Sequence, residues 1–441
     1  MGRAIKTIQD VVKWGLCTGC GACFSACTEG AVSLVDIESV GIRPRFDTQS
    51  CAACTSCLTI CPGYQLDASL ATGPIAQRRD AEHEFGGVLE VWEGYAADPK
   101  VRFKASSGGI LSALALYCLE RENAAFVLHS GMDRNSPWTN KTVRSRTRED
   151  ILACTGSRYA PASPCDDLKA IENSDRPCVF VGKPCDAAAV MMMRTTRPQL
   201  DRKLGLVLTF FCAGTPSTRG TLELIKLLDM EPSQVSAVQY RGEGWPGSFR
   251  VRGDGATEKS ISYDESWGRL TKHRPLRCNI CPDGLGRISD IACGDAWEQH
   301  KRNPEDQGRS IILVRTKRGQ EVLRRAAAAG YVQIEPATAS SVFEAQPNLL
   351  HRRRELFGRL LAMKLTLTPT PQFTGFSLFH SWIRLPLSER LRTIASTLRR
   401  IRLRGWWQPR IGDEQLHPSM TTRIVRSYAQ SEVLLKTDSV R

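Results

Sequence analysis

Beyond residue 87 the apolar and polar positions of the chain fall into alternating strand and helix rhythms. Val88 to Ala96 reads as a strand, and Ile110 to Glu122 as an apolar helix. Ala124 to His129 is the next strand candidate, after which a charged segment leads to Thr155. Cys178 to Val181 has the length of a short buried strand, and Ala187 to Arg194 has helix composition. Leu204 to Phe211 is a further β-rich run, followed by a helical stretch from Thr218 to Leu228. Val235 to Gly242 and Phe249 to Gly253 flank the turn Gly244-Trp245-Pro246-Gly247. Ser310 to Thr316 closes the strand series, and Gly319 to Ala329 is a helix that Gly330 ends as its C-cap. Strand, loop and helix recur in order, which predicts a mixed α/β body.

Ahead of that body the pattern is set by cysteine. Cys17, Cys20, Cys23 and Cys27 recur as Cys51, Cys54, Cys57 and Cys61, each shifted by 34 residues, with Pro62 after the last. Each half reads C-x2-C-x2-C-x3-C, the spacing of bacterial two-cluster ferredoxins. Two [4Fe-4S] clusters follow, one on Cys17, Cys20, Cys23 and Cys61, the other on Cys51, Cys54, Cys57 and Cys27. Gly19 and Gly21 keep the first loop small. Thr28 stands where the first half would usually carry proline, a turn device and not a ligand. Zinc sites and disulfides fit two matched quartets poorly. The predicted fold class is therefore α+β or α/β, in four parts. They are a ferredoxin-like domain at 1–65, a linker and first strand at 66–95, a body at 96–340 and a basic helical tail at 341–441.

Within the body, Ser106-Ser107-Gly108-Gly109 opens the first helix and makes a candidate anion-binding turn, where free N–H groups meet the helix dipole. An ordinary N-cap is the plainer reading. Cys185 and Cys212 each sit just after a predicted strand, and ligands of open α/β sheets gather beyond strand carboxyl ends. Arg277 to Asp283 contains a lone C-x2-C, Cys278 and Cys281. No G-x-G-x-x-G follows a predicted strand, so an ordinary dinucleotide fold is not expected. Cys118, Cys154, Cys165, Cys178 and Cys293 lack partner spacing and are expected to pack as small hydrophobes.

Charge changes the picture at one end only. Of a net +14, the stretch from Ala345 to Arg441 carries +11, from 17 Lys or Arg against 6 Asp or Glu. No recognised nucleic-acid-binding motif accompanies it, so no nucleic acid partner is expected. Ser388 to Arg404 reads as an amphipathic helix with Leu391, Ile394, Ala395, Leu398 and Ile401 on one face, arginines elsewhere, and Trp406 and Trp407 beyond Gly405. Such a helix suits an anionic membrane surface, an acidic partner, or the protein's own body. The N-terminus lacks signal-peptide features, and no run approaches the about 18 apolar residues of a membrane span. The expected location is the cytoplasm, with the inner membrane face as an alternative site of contact for the tail.

Taken in order, the ferredoxin module, Ser106 to Gly109, the GSxY at Gly156 to Tyr159, GKPCD at Gly182 to Asp186, FCAG at Phe211 to Gly214, RCxxCxD at Arg277 to Asp283 and DIxxGDxW at Asp290 to Trp297 resemble the family of coenzyme F-420 hydrogenase and dehydrogenase beta subunits. The resemblance spans about Cys17 to Ala337. It implies a flavin, FAD, contacted by Ser106, Ser107, Gly108, Gly109, Gly156, Ser157, Tyr159 and Lys183. It also implies a third [4Fe-4S] cluster, for which Cys185, Cys212, Cys278 and Cys281 are available. Ala213 stands where the family often has histidine. Lys183 beside the flavin would stabilise its reduced anion, a catalytic role, whereas a strand-end lysine in water is the plainer reading. Asp283, Asp290 and Asp295 are acid/base candidates or, more commonly for loop aspartates, turn and cap residues. The expected activity is electron transfer between ferredoxin-type clusters and a flavin that acts on a small substrate or on coenzyme F-420, with a donor or acceptor protein as partner. An electron-transfer subunit with no substrate of its own, and a non-catalytic iron–sulfur scaffold, are the alternatives.

Overall fold

A computed structural model describes residues 4–51, 54–71, 84–255, 257–298, 303, 305–417, 419 and 422–427. An eight-stranded sheet forms the centre. Its strands in chain order are β1 (Glu90–Ala96), β2 (Val127–Met132), β3 (Asn140–Ser145), β4 (Cys178–Gly182), β5 (Leu204–Phe210), β6 (Ile291–Asp295), β7 (Ser310–Val314) and β8 (Val332–Pro336). Their spatial order is β8-β1-β7-β6-β5-β4-β2-β3. The four strands β6, β5, β4 and β2 run parallel, and every other pairing is antiparallel.

Side chains on the central strands alternate between two cores, as a period of two requires. Leu206 and Leu208 join Val179 beneath the helices Ile110–Arg121 and Lys317–Ala328. Val207 and Phe180 face the other way, against Ala187, Val190 and Met193 of the helix Pro184–Arg194. Cys20, Ala22 and Ile60 of the N-terminal module share this second core. The cysteine module is thus seated on the helix that begins just beyond β4.

One predicted strand starts late and another strand has no counterpart in the sequence reading. The strand expected at Ala124 to His129 starts at Val127, because Asn123 turns at φ +56° and the Ala124 N–H still closes the preceding helix on Cys118 O. The charged segment after it contains β3, a polar edge strand that pairs with β2.

The tail returns to the molecule it leaves. Thr422–Arg426 pairs antiparallel with Val32–Ile37, extending the hairpin that this strand forms with Gly41–Phe46. Gln372–Thr374 pairs with Gln65–Asp67, so the start of the expected linker is a strand, while residues 72–83 lie outside the described residues. One core contains Val11, Leu16 and Val35 of the module, Leu276 and Ile280 of the body, and Phe376, Ile401 and Trp406 of the tail.

The amphipathic helix forms at Leu387–Arg404, but its buried face is not the expected one. Thr393, Thr397 and Ile401 are buried, whereas Leu391 is 59% and Leu387 61% exposed. Gly358 lets Thr393 approach closely: a Cβ there would meet Thr393 Cγ2 at 3.0 Å. The threonine hydroxyls bond back to Glu389 O and Thr393 O at 2.8 Å, so burying them leaves no unmet donor. Trp406 is buried and Trp407 is 38% exposed, so the paired tryptophans do not share one surface. Among the described residues no helix is long and apolar enough to cross a membrane.

Candidate functional site

The eight cysteines of the repeat fall into two neighbourhoods. Burial, then the adjoining Cys20, Cys17, Cys61 and Cys57, push the Cys23 thiol well up. Cys57 is pushed up to about 11 by burial, Cys54, Cys51 and Cys27. Cys23 of the first half is thus acted on by Cys61 of the second, and Cys57 of the second by Cys27 of the first, as the crossed pairing expects. Cys17, Cys20, Cys23 and Cys61 are buried, while Cys27, Cys51 and Cys57 are half-buried and Cys54 is exposed.

Cys185, Cys212, Cys278 and Cys281 come together from three segments of the chain. They line one cavity, and Cys17 lines it too. Cys212 is pushed up to about 12 by burial and by the adjacent Cys278 and Cys281. Burial raises Cys185 as well, with Asp186 next and Cys212 and Cys281 further contributors. The carboxyl-end placement of β4 and β5 delivers the first two thiols, and a short helix at Leu276–Asn279 delivers Cys278. Among the described residues no three His, Cys, Asp or Glu are gathered for a single ion. A zinc would need sulfurs about 2.3 Å from one point. Four thiols around a cavity suit a cubane, which spaces its ligands wider.

Cations surround this cavity. Lys183 Nζ donates to Asp186 Oδ2 at 2.7 Å and to Ala162 O at 3.0 Å. The pair is nearly inaccessible, at 8% and 0% exposure, so Lys183 is not a strand-end lysine in water. Arg277 Nη2 donates to Pro62 O at 2.8 Å, and its charge acts on both Cys17 and Cys281. Arg43, 2% exposed, donates to Ile42 O at 2.6 Å and also acts on Cys17. Neither arginine stands out in the sequence, where both look like surface charges. Cys165, expected only to pack, lies against Cys20, whose carbonyl accepts from the Cys165 N–H at 3.0 Å. Its thiol holds the Cys20 thiol below its ordinary value.

The Ser-Gly turn lies at another end of the same sheet edge. The helix Ile110–Arg121 has Gly109 at its N-cap, at φ +78°, and no side chain caps it. Its first N–H groups therefore remain open, as an anion site requires. The serines serve elsewhere: Ser107 Oγ donates to Arg309 O at 2.9 Å, and the Ser157 N–H donates to Ser106 Oγ at 2.5 Å. The latter bond joins Gly156–Ser157 to the turn. Gly108 is packed so closely that a Cβ would meet Gly94 O at 2.5 Å. Tyr159 stands beside Trp267 at 4.8 Å and near Arg241, whose Nη1 reaches its hydroxyl at 3.4 Å. The structure joins Ser106 to Gly109, Gly156, Ser157 and Tyr159 through these contacts. Lys183 sits on the cysteine side, linked to this group through the chain segment ending at Ala162.

The three aspartates are each engaged by hydrogen-bond donors. Asp283 accepts from the Arg287 and Leu285 N–H groups, Asp290 from the Val207 N–H and Thr316 Oγ1, and Asp295 from Arg241 and Trp245 Nε1.

Residues 91–169 and 175–340 match the N-terminal and C-terminal models of the coenzyme F-420 hydrogenase/dehydrogenase beta subunit. The chain belongs to the family of coenzyme F-420 hydrogenase/dehydrogenase beta subunits. Residues 16–63 match a 4Fe-4S dicluster domain, so an iron–sulfur ferredoxin module precedes the mixed α/β body. Among the similar family members is a component of the F(420)H(2) dehydrogenase of Methanosarcina mazei, 23% identical over 81% of this chain and 91% of that one. The beta subunit of coenzyme F-420 hydrogenase from Methanosarcina barkeri is 25% identical over 58% of this chain and 82% of its own. The beta subunit of F-420-dependent formate dehydrogenase 1 from Methanococcus maripaludis is 25% identical over 55% and 61%. A chain of the F-420-reducing [NiFe] hydrogenase complex from Methanosarcina barkeri has the same fold, with a TM-score of 0.52 at 20% identity, covering 66% of this chain and 98% of that one.

Proposed function

We propose that this protein is an iron–sulfur flavoprotein oxidoreductase that exchanges electrons between its ferredoxin-type clusters and a two-electron coenzyme of the F-420 type. The observation that carries the reading is the convergence of Cys185, Cys212, Cys278 and Cys281 on a cavity that Cys17 also lines. A third cubane there would adjoin the buried N-terminal set through Cys17. The names of the relatives supply the coenzyme and the expectation of a protein partner.

The chain's residues divide the work. The Cys51, Cys54, Cys57 and Cys27 set, being the more exposed, would hold the cluster nearer an external protein, and the buried Cys17 set would hold the one nearer the body. The clusters move electrons singly, and FAD, when bound, converts single electrons into the pair that a hydride carrier takes. The open N–H groups at Ile110 and beyond would hold the flavin's phosphates, and Gly108 and Gly109 keep the approach clear. Lys183, Arg43 and Arg277 place buried positive charge around the cysteines, which would offset the charge of a thiolate-bound cluster. Lys183 acts there as a buried electrostatic residue held by Asp186.

The test is anaerobic oxidation of reduced F-420 by the loaded full chain with a viologen acceptor. Turnover lost in a flavin-free Gly109→Val variant supports the reading. Fully loaded protein that exchanges with neither F-420 nor nicotinamide coenzymes replaces it with the electron-transfer subunit.

A further inference from the structure

A second cleft lies on the far side of Arg43 from the cysteines. It has a volume of about 310 Å³ and gathers six cations from three parts of the chain: Arg43 of the module, Arg219, Lys272 and Arg274 of the body, and Arg404 and Arg410 of the tail. The one carboxylate that lines it, Glu223, is engaged with His273 Nε2 at 2.9 Å. Among the described residues none of the six cations makes an ion pair. Arg274 donates to the neutral carbonyls Ala213 O and Thr271 O, and Arg404 and Arg410 each stand 5.9 Å from the Trp406 ring. Arg43 is 2% exposed, lines the cleft, and has an Nε with no partner.

Like charges crowded in a half-buried cleft oppose one another. Arg410 is lowered by burial and then by Arg404 and Arg43, and Arg274 is lowered to about 10 by burial and then by Arg352. An anion would relieve both the repulsion and the unmet donor. The volume is in the range of small-ligand sites. We propose that this cleft binds a small, multiply charged anion bearing phosphate or carboxylate groups. Arg43, Val40 and Pro275 line both this cleft and the cysteine cavity, so the anion would sit one side chain from Cys17. The site also accounts for part of the basic tail, whose Arg404 and Arg410 form one wall. It stands independently of the flavin reading.

The experiment is calorimetric titration of the anaerobically loaded full chain with tripolyphosphate and, separately, citrate. Saturable binding with one site per chain is expected for at least one probe, and the tighter of the two identifies the ligand chemistry. Arg404→Glu with Arg410→Glu should weaken it by about tenfold or more, whereas Arg399→Glu with Arg400→Glu, outside the cleft, should leave it nearly unchanged. Arg219→Glu, at an exposed position on the opposite wall, should weaken it without touching the tail's packing. Equal loss in the two double variants shows diffuse attraction to a basic protein and overturns the proposal, as does the absence of saturable binding by either probe.

Discussion

Lys183 and Asp186 form a buried ion pair in which each charge depends on the other. Removing one partner leaves an unpaired buried charge, a cost of about 3–5 kcal/mol. Lys183→Met should therefore lower the thermal midpoint strongly, and adding Asp186→Leu should restore most of it. If Lys183→Met leaves the midpoint unchanged and removes only redox activity, the lysine acts directly on a bound group. The motif containing this pair is legible as a line of letters, but its burial is not, because a lysine after a strand is solvated in most proteins. Cys165 shows the same limit. It has no spacing partner in the sequence, and only the fold sets it against Cys20.

At the scale of elements, the helix starting at Ile110 keeps its N-terminal N–H groups open because the two serines turn toward Arg309, Ser310 and Ser157. FAD should be released on denaturation of the purified protein. Gly109→Val, forced into a left-handed turn, should abolish flavin content while the iron content holds. Flavin retained at wild-type level in that variant would remove the turn from the site. The tail helix is legible as an amphipathic element, but hydropathy alone misassigns its buried face, since Thr393 and Thr397 satisfy their hydroxyls within the helix. A chain ending near Thr370 should lose cooperative unfolding or drop sharply in midpoint, because Phe376, Ile401 and Trp406 leave a shared core. An unchanged midpoint would make the tail a separate unit. Leu387 and Leu391 are exposed, and equal flotation of the native chain and of Leu387→Glu with Leu391→Glu on anionic vesicles would remove this face as a membrane contact.

In the molecule as a whole, the ferredoxin module, the α/β body and the tail are packed around one cysteine-lined cavity. The cysteine repeat and the strand–helix alternation can be read from local spacing, because both are short-range periodicities. The return of Thr422–Arg426 to the module and the cationic cleft cannot, because they join residues hundreds of positions apart. The functional reading turns on whether Cys185, Cys212, Cys278 and Cys281 hold a third cubane beside the two of the module. Iron analysis of anaerobically purified protein, paired with a variant carrying Cys278→Ser and Cys281→Ser together, decides it. About twelve irons per chain are expected in the native protein and about eight in the variant, with the electron paramagnetic resonance of the module's two clusters unchanged. Equal iron in the two proteins would contradict a third cluster at these cysteines.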